Sequence, residues 1–210
     1  MTVTEKVKSA EKRIKNTVNI HPFKCAAFFL LGLLFSLGSV FGELHPFGIP
    51  ITAVSGKRYF LFTAAGAVTG SLLTGLDGYS ARYLCAVTLA SLGALAAAAF
   101  ELNLTPAFPM GISFISCLAT GLVLHARLQS ETGAYLITAG EAILSTGGAF
   151  FFYRALHAGY RRLRLKALPV SDITCLVISV SLLLMNTASL RIFIFSPAVA
   201  AASFAVLCTV

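Results

Sequence analysis

Long apolar runs separated by short polar links make up most of the chain after residue 24. A helix rises about 1.5 Å per residue, so residues 25–41 would reach roughly 25 Å, which just crosses the hydrocarbon core of a bilayer. Comparable or shorter runs follow at residues 49–54, 59–76, 81–100, 109–125, 133–153, 173–190 and 192–210. The pattern predicts an all-α protein, a polytopic transmembrane helical bundle with about eight membrane-entering segments, formed by residues 25–210.

Residues 1–24 have a different pattern, in which lysines surround one apolar stripe. The stripe consists of side chains three or four positions apart, namely Val3, Val7, Ala10, Ile14 and Val18. This spacing predicts a basic amphipathic helix on the cytoplasmic membrane surface, and a solvated tail fits it equally well. A cleaved signal peptide is disfavoured, because residues 40–42 make a poor cleavage site and many further apolar runs follow.

The link after the first run is rich in helix breakers. Pro46, Phe47, Gly48 and Pro50 stand within it, directly before the run at 49–54, which is too short to span a membrane. Irregular backbone is tolerated at membrane depth where it packs against protein. We therefore expect a short, broken second segment that returns the chain to the side it came from. The four residues are candidates for a structural or functional role.

Composition supports the membrane class. Hydrophobic residues make up 57% of the chain, charged residues only 11%, and the mean hydropathy is +0.85, whereas a soluble domain has about a quarter charged residues. The net charge is +8, but the cations flank apolar runs and do not interleave with exposed aromatic residues, so no nucleic-acid partner is expected. Membrane lipids are the expected partners.

The placement of the cations predicts the topology. Lysines and arginines concentrate before residue 25 and again at 154–166, and such clusters stay on the cytoplasmic side. With a returning second segment, the N-terminus and both clusters lie in the cytoplasm. Arg82 and Arg127 then fall outside, as two mild violations. The prediction is a multi-pass protein of the cell membrane.

Glu141 is the acid within a predicted span, in the run at 133–153. A carboxylate at that depth is costly and faces protein or a water-filled cavity. We expect a structural role, with the group protonated or hydrogen-bonded to Asn186 or a threonine, so that Glu141→Gln is tolerated. The alternative is a functional role for Glu141 in proton transfer or ligand binding.

Catalytic and metal-binding patterns are not recognised in the sequence. The two aspartates, Asp77 and Asp172, fall on opposite sides of the predicted membrane, whereas metal-dependent phosphoryl chemistry needs convergent carboxylates. The cysteines lie in or at the edges of apolar runs, where we interpret them as small apolar residues. No enzyme activity, cofactor or metal is expected for this chain. Small residues four apart, as at Gly66 and Gly70, indicate close helix packing inside the bundle or, alternatively, a homo-oligomer face.

Several stretches carry a resemblance to a known family. They are residues 32–35, the Glu-Leu-His-Pro-Phe-Gly-Ile-Pro segment at 43–50, residues 66–73 and 81–84, and Ser-Asp-Ile-Thr-Cys at 171–175. In this order and spacing the chain resembles the N-terminal membrane region of stage II sporulation protein E. In that family a first span runs into a Pro-Phe-Gly-Ile turn and a short second span.

The resemblance implies a membrane anchor that holds a sporulation enzyme at the polar septum. In the full-length family, ten spans precede a region that contacts the division machinery. A manganese-dependent serine/threonine phosphatase follows and acts on an anti-sigma factor antagonist. This chain ends at residue 210, which we read as an incomplete membrane domain, with no position for the phosphatase residues. The rival interpretation is a small transporter subunit, such as the substrate-binding component of a vitamin uptake system.

Overall fold

The protein is a bundle of α-helices in the computed structural model. The structure describes residues 22–38, 44–74, 78–100, 105–128, 132–160 and 169–188, and every regular element in these ranges is a helix. The helices are α1 Pro22–Leu37, α2 Gly48–Val54, α3 Gly56–Thr74, α4 Gly78–Ala99, α5 Ala107–Leu128, α6 Thr132–Tyr160 and α7 Val170–Ala188. The all-α prediction is confirmed.

Three helices in the described part of the chain are long and apolar enough to cross a membrane, within α4, α5 and α6. Two shorter apolar helices, α1 and α7, accompany them. This indicates membrane association, but it does not support the predicted count of eight spans. The amphipathic segment predicted before residue 22 and the last run at 192–210 lie outside the described residues.

Helices α1 and α3 lie side by side and run in the same direction. Phe28 stacks on Tyr59 near the start of both helices, with 4.8 Å between ring centroids, and Ser36 Oγ lies 2.8 Å from Ser71 Oγ near their ends. The backbones almost touch: a Cβ placed on Gly66 would lie 2.0 Å from the carbonyl oxygen of Phe29. Gly66 therefore allows two helices to pack closely inside the bundle. This was one of the two interpretations given above for small residues spaced four apart.

Helix α2 connects these two parallel helices and sits at the centre of the bundle. All seven of its residues are buried, and it packs against α1, α3, α4, α5 and α6. Pro50 is tolerated because it stands in the first turn, where the backbone N–H would have no partner within the helix. The returning second segment is thus a feature of this fold, built as a short helix buried in protein.

The turn between α2 and α3 is a sharp reversal at one residue. Gly56 has a φ of +76°, a left-handed conformation that costs L-residues with a Cβ about 1–2 kcal/mol. The preceding Ser55 closes α2, with its N–H bonded to the carbonyl of Ile51. The glycine lets the short helix end and the long one begin without an intervening loop.

Five buried hydroxyl groups in the described part of the bundle are satisfied locally. Thr52, Thr63, Ser71, Ser113 and Thr120 are buried, and each donates to the carbonyl oxygen four residues earlier in its own helix. Such bonds remove the cost of an unpaired polar group in an apolar medium. They let small polar residues serve as helix contacts.

The two ends of the bundle differ in charge. One end, which we call the basic end, carries Lys24, Arg58 and Arg154, next to a small core cluster of Cys25, Phe28 and Tyr59. Arg154 Nη1 of α6 lies 3.7 Å from Asp172 Oδ1 of α7 at this end. The opposite end holds the end of α1 and the start of α4. The candidate site lies toward that opposite end.

Candidate functional site

A buried ion pair between α4 and α6 is the most unusual polar feature of the described residues. Arg82 lies in the second turn of α4 and Glu141 in the third turn of α6. Their side chains are 3% and 0% exposed, and Arg82 Nη2 donates to Glu141 Oε2. Removing two charges from solvent is costly, and the cost is repaid only with good geometry and further hydrogen bonds.

Tyr83 supplies a further hydrogen bond. Its hydroxyl donates to Glu141 Oε1, so each carboxylate oxygen has its own donor. The same hydroxyl accepts the backbone N–H of His45 at 3.0 Å, and His45 Nδ1 lies 2.9 Å from the carbonyl oxygen of Gly38. A continuous polar chain therefore connects the end of α1 to α4 and α6.

Helix α5 also packs against the Arg82–Glu141 pair. Arg82 Nη2 lies 3.7 Å from the sulfur of Cys117, within hydrogen-bonding range for a thiol. Gly121 leaves the space that the guanidinium needs: a Cβ there would lie 3.1 Å from Arg82 Nη2 and 2.3 Å from Thr138 Cγ2. Thr138 Oγ1 is in turn 2.9 Å from Nε2 of the buried His125.

The partners expected for Glu141 were wrong. Its carboxylate bonds to Arg82 and Tyr83, not to Asn186 or a threonine. Arg82 was expected on the outer side of the membrane, and its burial against Glu141 was not anticipated. This pairing changes what we expect of Glu141→Gln, because an amide would leave a buried guanidinium without its counter-charge.

A signal for this pairing was present in the sequence. Arg82 stands at the start of an apolar run and Glu141 lies inside another. Opposite charges at membrane depth pair with one another. Arg82 was already an exception to the charge rule, and Glu141 was the acid inside a predicted span. The roles of Tyr83, Cys117 and His45 carried no such signal, because these residue types are unremarkable in apolar runs.

The candidate residues before and within α2 are all core residues. Pro46, Phe47, Gly48 and Pro50 are buried. The ring of Phe47 packs edge-on against Phe152 of α6, with 6.2 Å between centroids. The structure brings this segment to the ion pair indirectly, through the neighbouring His45 and its bond to Tyr83. The segment holds the bundle together and offers no open surface.

The geometry defines what the site can do. Each oxygen of Glu141 accepts one hydrogen bond, and the side chain is 0% exposed, so the carboxylate is held in place away from any open surface. In the described ranges no group of three or more His, Cys, Asp and Glu residues is placed to hold a metal ion. Arg82 Nε is buried and has no hydrogen-bond partner among the described residues.

A scan against protein-family models, a search of curated proteins and a search of solved structures each found no match. The function is therefore inferred from the sequence motifs and from the geometry above.

Proposed function

We propose that this chain is the membrane-anchoring N-terminal domain of a phosphatase of the stage II sporulation protein E type. Its work would be to hold the enzyme at the membrane and the polar septum during sporulation. The bundle consists of closely packed apolar helices, and the three long ones fit a membrane-embedded domain. In this proposal contacts with the division machinery and the anti-sigma factor antagonist belong to the full-length protein.

The observation that carries the proposal is the position of the motif residues. The resembling segment at 43–50 includes His45 to Pro50, which lead into and begin the buried helix α2, around which the other helices pack. Gly66 and Tyr83, from the next matching stretches, make the α1–α3 contact and the bond to Glu141. Motif residues that build the core of a membrane domain suit an anchor, because an anchor needs a fold and no reactive site.

The transporter alternative makes a different demand on the same residues. It requires Glu141 and the short helix α2 to face a substrate. Both carboxylate oxygens already accept hydrogen bonds, and all residues of α2 are buried. Neither feature offers an open polar group to a ligand, so the geometry favours the anchor.

We also propose the orientation and the full segment count. Lys24, Arg58 and Arg154 share the basic end, which the positive-inside rule assigns to the cytoplasm. Arg82 is neutralised by Glu141, so Arg127 and Arg191 are the two cations that this orientation leaves uncompensated on the outer side. The seven described helices and the apolar run at 192–210 would give eight membrane-entering segments, with the N-terminus in the cytoplasm.

A chimera tests the proposal. The membrane region of a stage II sporulation protein E from a tractable spore former is replaced by this chain and a fluorescent reporter is added. We expect fluorescence at the polar septum and partial recovery of spore formation. An unrelated multi-pass domain of similar length and charge serves as the control. Uniform membrane fluorescence, equal to that control, would count against the family assignment.

A further inference from the structure

A groove runs along the outer surface between α4 and α5. It encloses a volume of about 370 Å³. Its walls are mainly apolar, with Cys85 and Leu89 from α4 and Ala119 and Val123 from α5, and two arginines, Arg82 and Arg127, also line it. Leu89 and Val123 are exposed, so the groove opens toward the membrane and away from the bundle core.

The groove has one polar end. Helices α4 and α5 are antiparallel neighbours, so Arg82, in the second turn of α4, and Arg127, in the last turn of α5, lie at the same end. Toward the other end the helices close together, because Gly93 lets Ile112 approach: a Cβ on Gly93 would lie 2.8 Å from Ile112 Cδ1. The result is a wedge that is open at the arginines and closed near Gly93.

We propose that this groove binds one anionic phospholipid. The phosphodiester lies against the exposed Arg127, at the end of the groove that Arg82 also lines, and an acyl chain follows the apolar walls toward the closed end. The polarity fits a lipid in a bilayer, whose headgroup stays at the surface while its chain points to the centre. From Arg127 to Ala119 a helix rises about 12 Å, a length that an acyl chain can follow.

Charge explains why the lipid is anionic. Arg82 is balanced by Glu141, whereas Arg127 is exposed at the end of α5 and adds a positive charge to the open end. Arg82 also lines the groove, but it is buried and paired, so Arg127 supplies the uncompensated charge. One phosphodiester matches this charge, while a zwitterionic lipid brings its own cation and gains less.

Native mass spectrometry of the full chain in detergent tests the site. The probes are phosphatidylglycerol, phosphatidylcholine and glycerol phosphate, the last being a headgroup without acyl chains. We expect phosphatidylglycerol to bind as a discrete adduct, several-fold more tightly than phosphatidylcholine. Glycerol phosphate should neither bind detectably nor displace the lipid, because the apolar walls contribute much of the affinity.

Three variants locate the site. Arg127→Gln should weaken phosphatidylglycerol binding about fivefold, the effect typical of one basic residue near a lipid surface. Ala119→Leu fills the groove without changing charge and should weaken binding at least as much. Lys24→Gln removes one positive charge at the basic end and should change nothing.

Three results would overturn the proposal. The first is equal binding of the two lipids by the unmodified chain, and the second is equal affinity in Arg127→Gln and Lys24→Gln. The third is displacement of the lipid by glycerol phosphate, which would identify a free phosphate site. Because Arg127 is exposed, its variant should fold and remain measurable even if Ala119→Leu does not fold.

Discussion

Glu141→Gln should destabilise the bundle far more than the loss of an ordinary surface charge. Arg82 and Glu141 are 3% and 0% exposed, so the amide leaves a buried guanidinium without its counter-charge. Gln can still accept the hydrogen bond from Tyr83, but its other end presents an N–H group toward Arg82. Breaking one side of a buried pair costs about 3–5 kcal/mol, and we expect a loss in that range.

The two sides of the pair should not cost the same. After Arg82→Met, the lone carboxylate can take up a proton and become neutral. After Glu141→Gln, the guanidinium cannot lose its charge, since arginine is not deprotonated in proteins. Glu141→Gln is therefore expected to be the more harmful single change. The double variant Arg82→Met/Glu141→Leu removes both charges and should be more stable than either single variant.

The free energy of unfolding in mixed micelles, followed by circular dichroism as a denaturing detergent is added, measures these differences. Arg154→Gln is the matched control on the same helix. Its partner Asp172 is 3.7 Å away, and the two side chains are 40% and 19% exposed, so its loss should cost about 0–1 kcal/mol. A cost for Glu141→Gln no greater than that for Arg154→Gln would refute a strongly coupled buried pair. Costs of the single variants that simply add in the double variant would refute it as well.

Two further predictions concern packing and topology. Gly66→Ala should destabilise the bundle by about 1–3 kcal/mol, because its Cβ would meet the Phe29 carbonyl oxygen at 2.0 Å. In the control Gly140→Ala the new Cβ meets no atom within 4 Å, so this change should be neutral or stabilising by up to about 1 kcal/mol. Equal effects of the two changes on the free energy of unfolding would contradict the close α1–α3 contact. Reporters active only in the cytoplasm should work when fused after Arg58 and after Lys166, and an inactive fusion at Arg58 beside an active one at Lys166 would contradict the returning second segment.

The sequence by itself determined the class of the protein. Apolar runs of helical length with few charges leave a helical membrane bundle as the consistent fold, because lipid requires every backbone polar group to be paired within the helix. The prolines and glycines around Pro46 also marked a broken segment. These conclusions depend only on composition and local spacing.

The tertiary structure decided the role of the short second segment. Length and hydropathy do not distinguish a helix that crosses the membrane from a short one, such as α2, whose seven residues are buried by neighbouring helices. The parallel arrangement of α1 and α3 follows from that burial. Both depend on contacts between residues far apart in the chain, which local spacing does not encode.

The same limit applied to the candidate site. The sequence singled out Glu141, because a carboxylate in an apolar run is costly wherever it lies. Its partner stands 59 positions away in the chain, and which cation or hydroxyl reaches it depends on how α4, α5 and α6 pack. Arg82 read as a surface charge until the fold placed it against Glu141 and Tyr83. The cost of a buried charge is a local property, whereas the group that compensates it is fixed by tertiary packing.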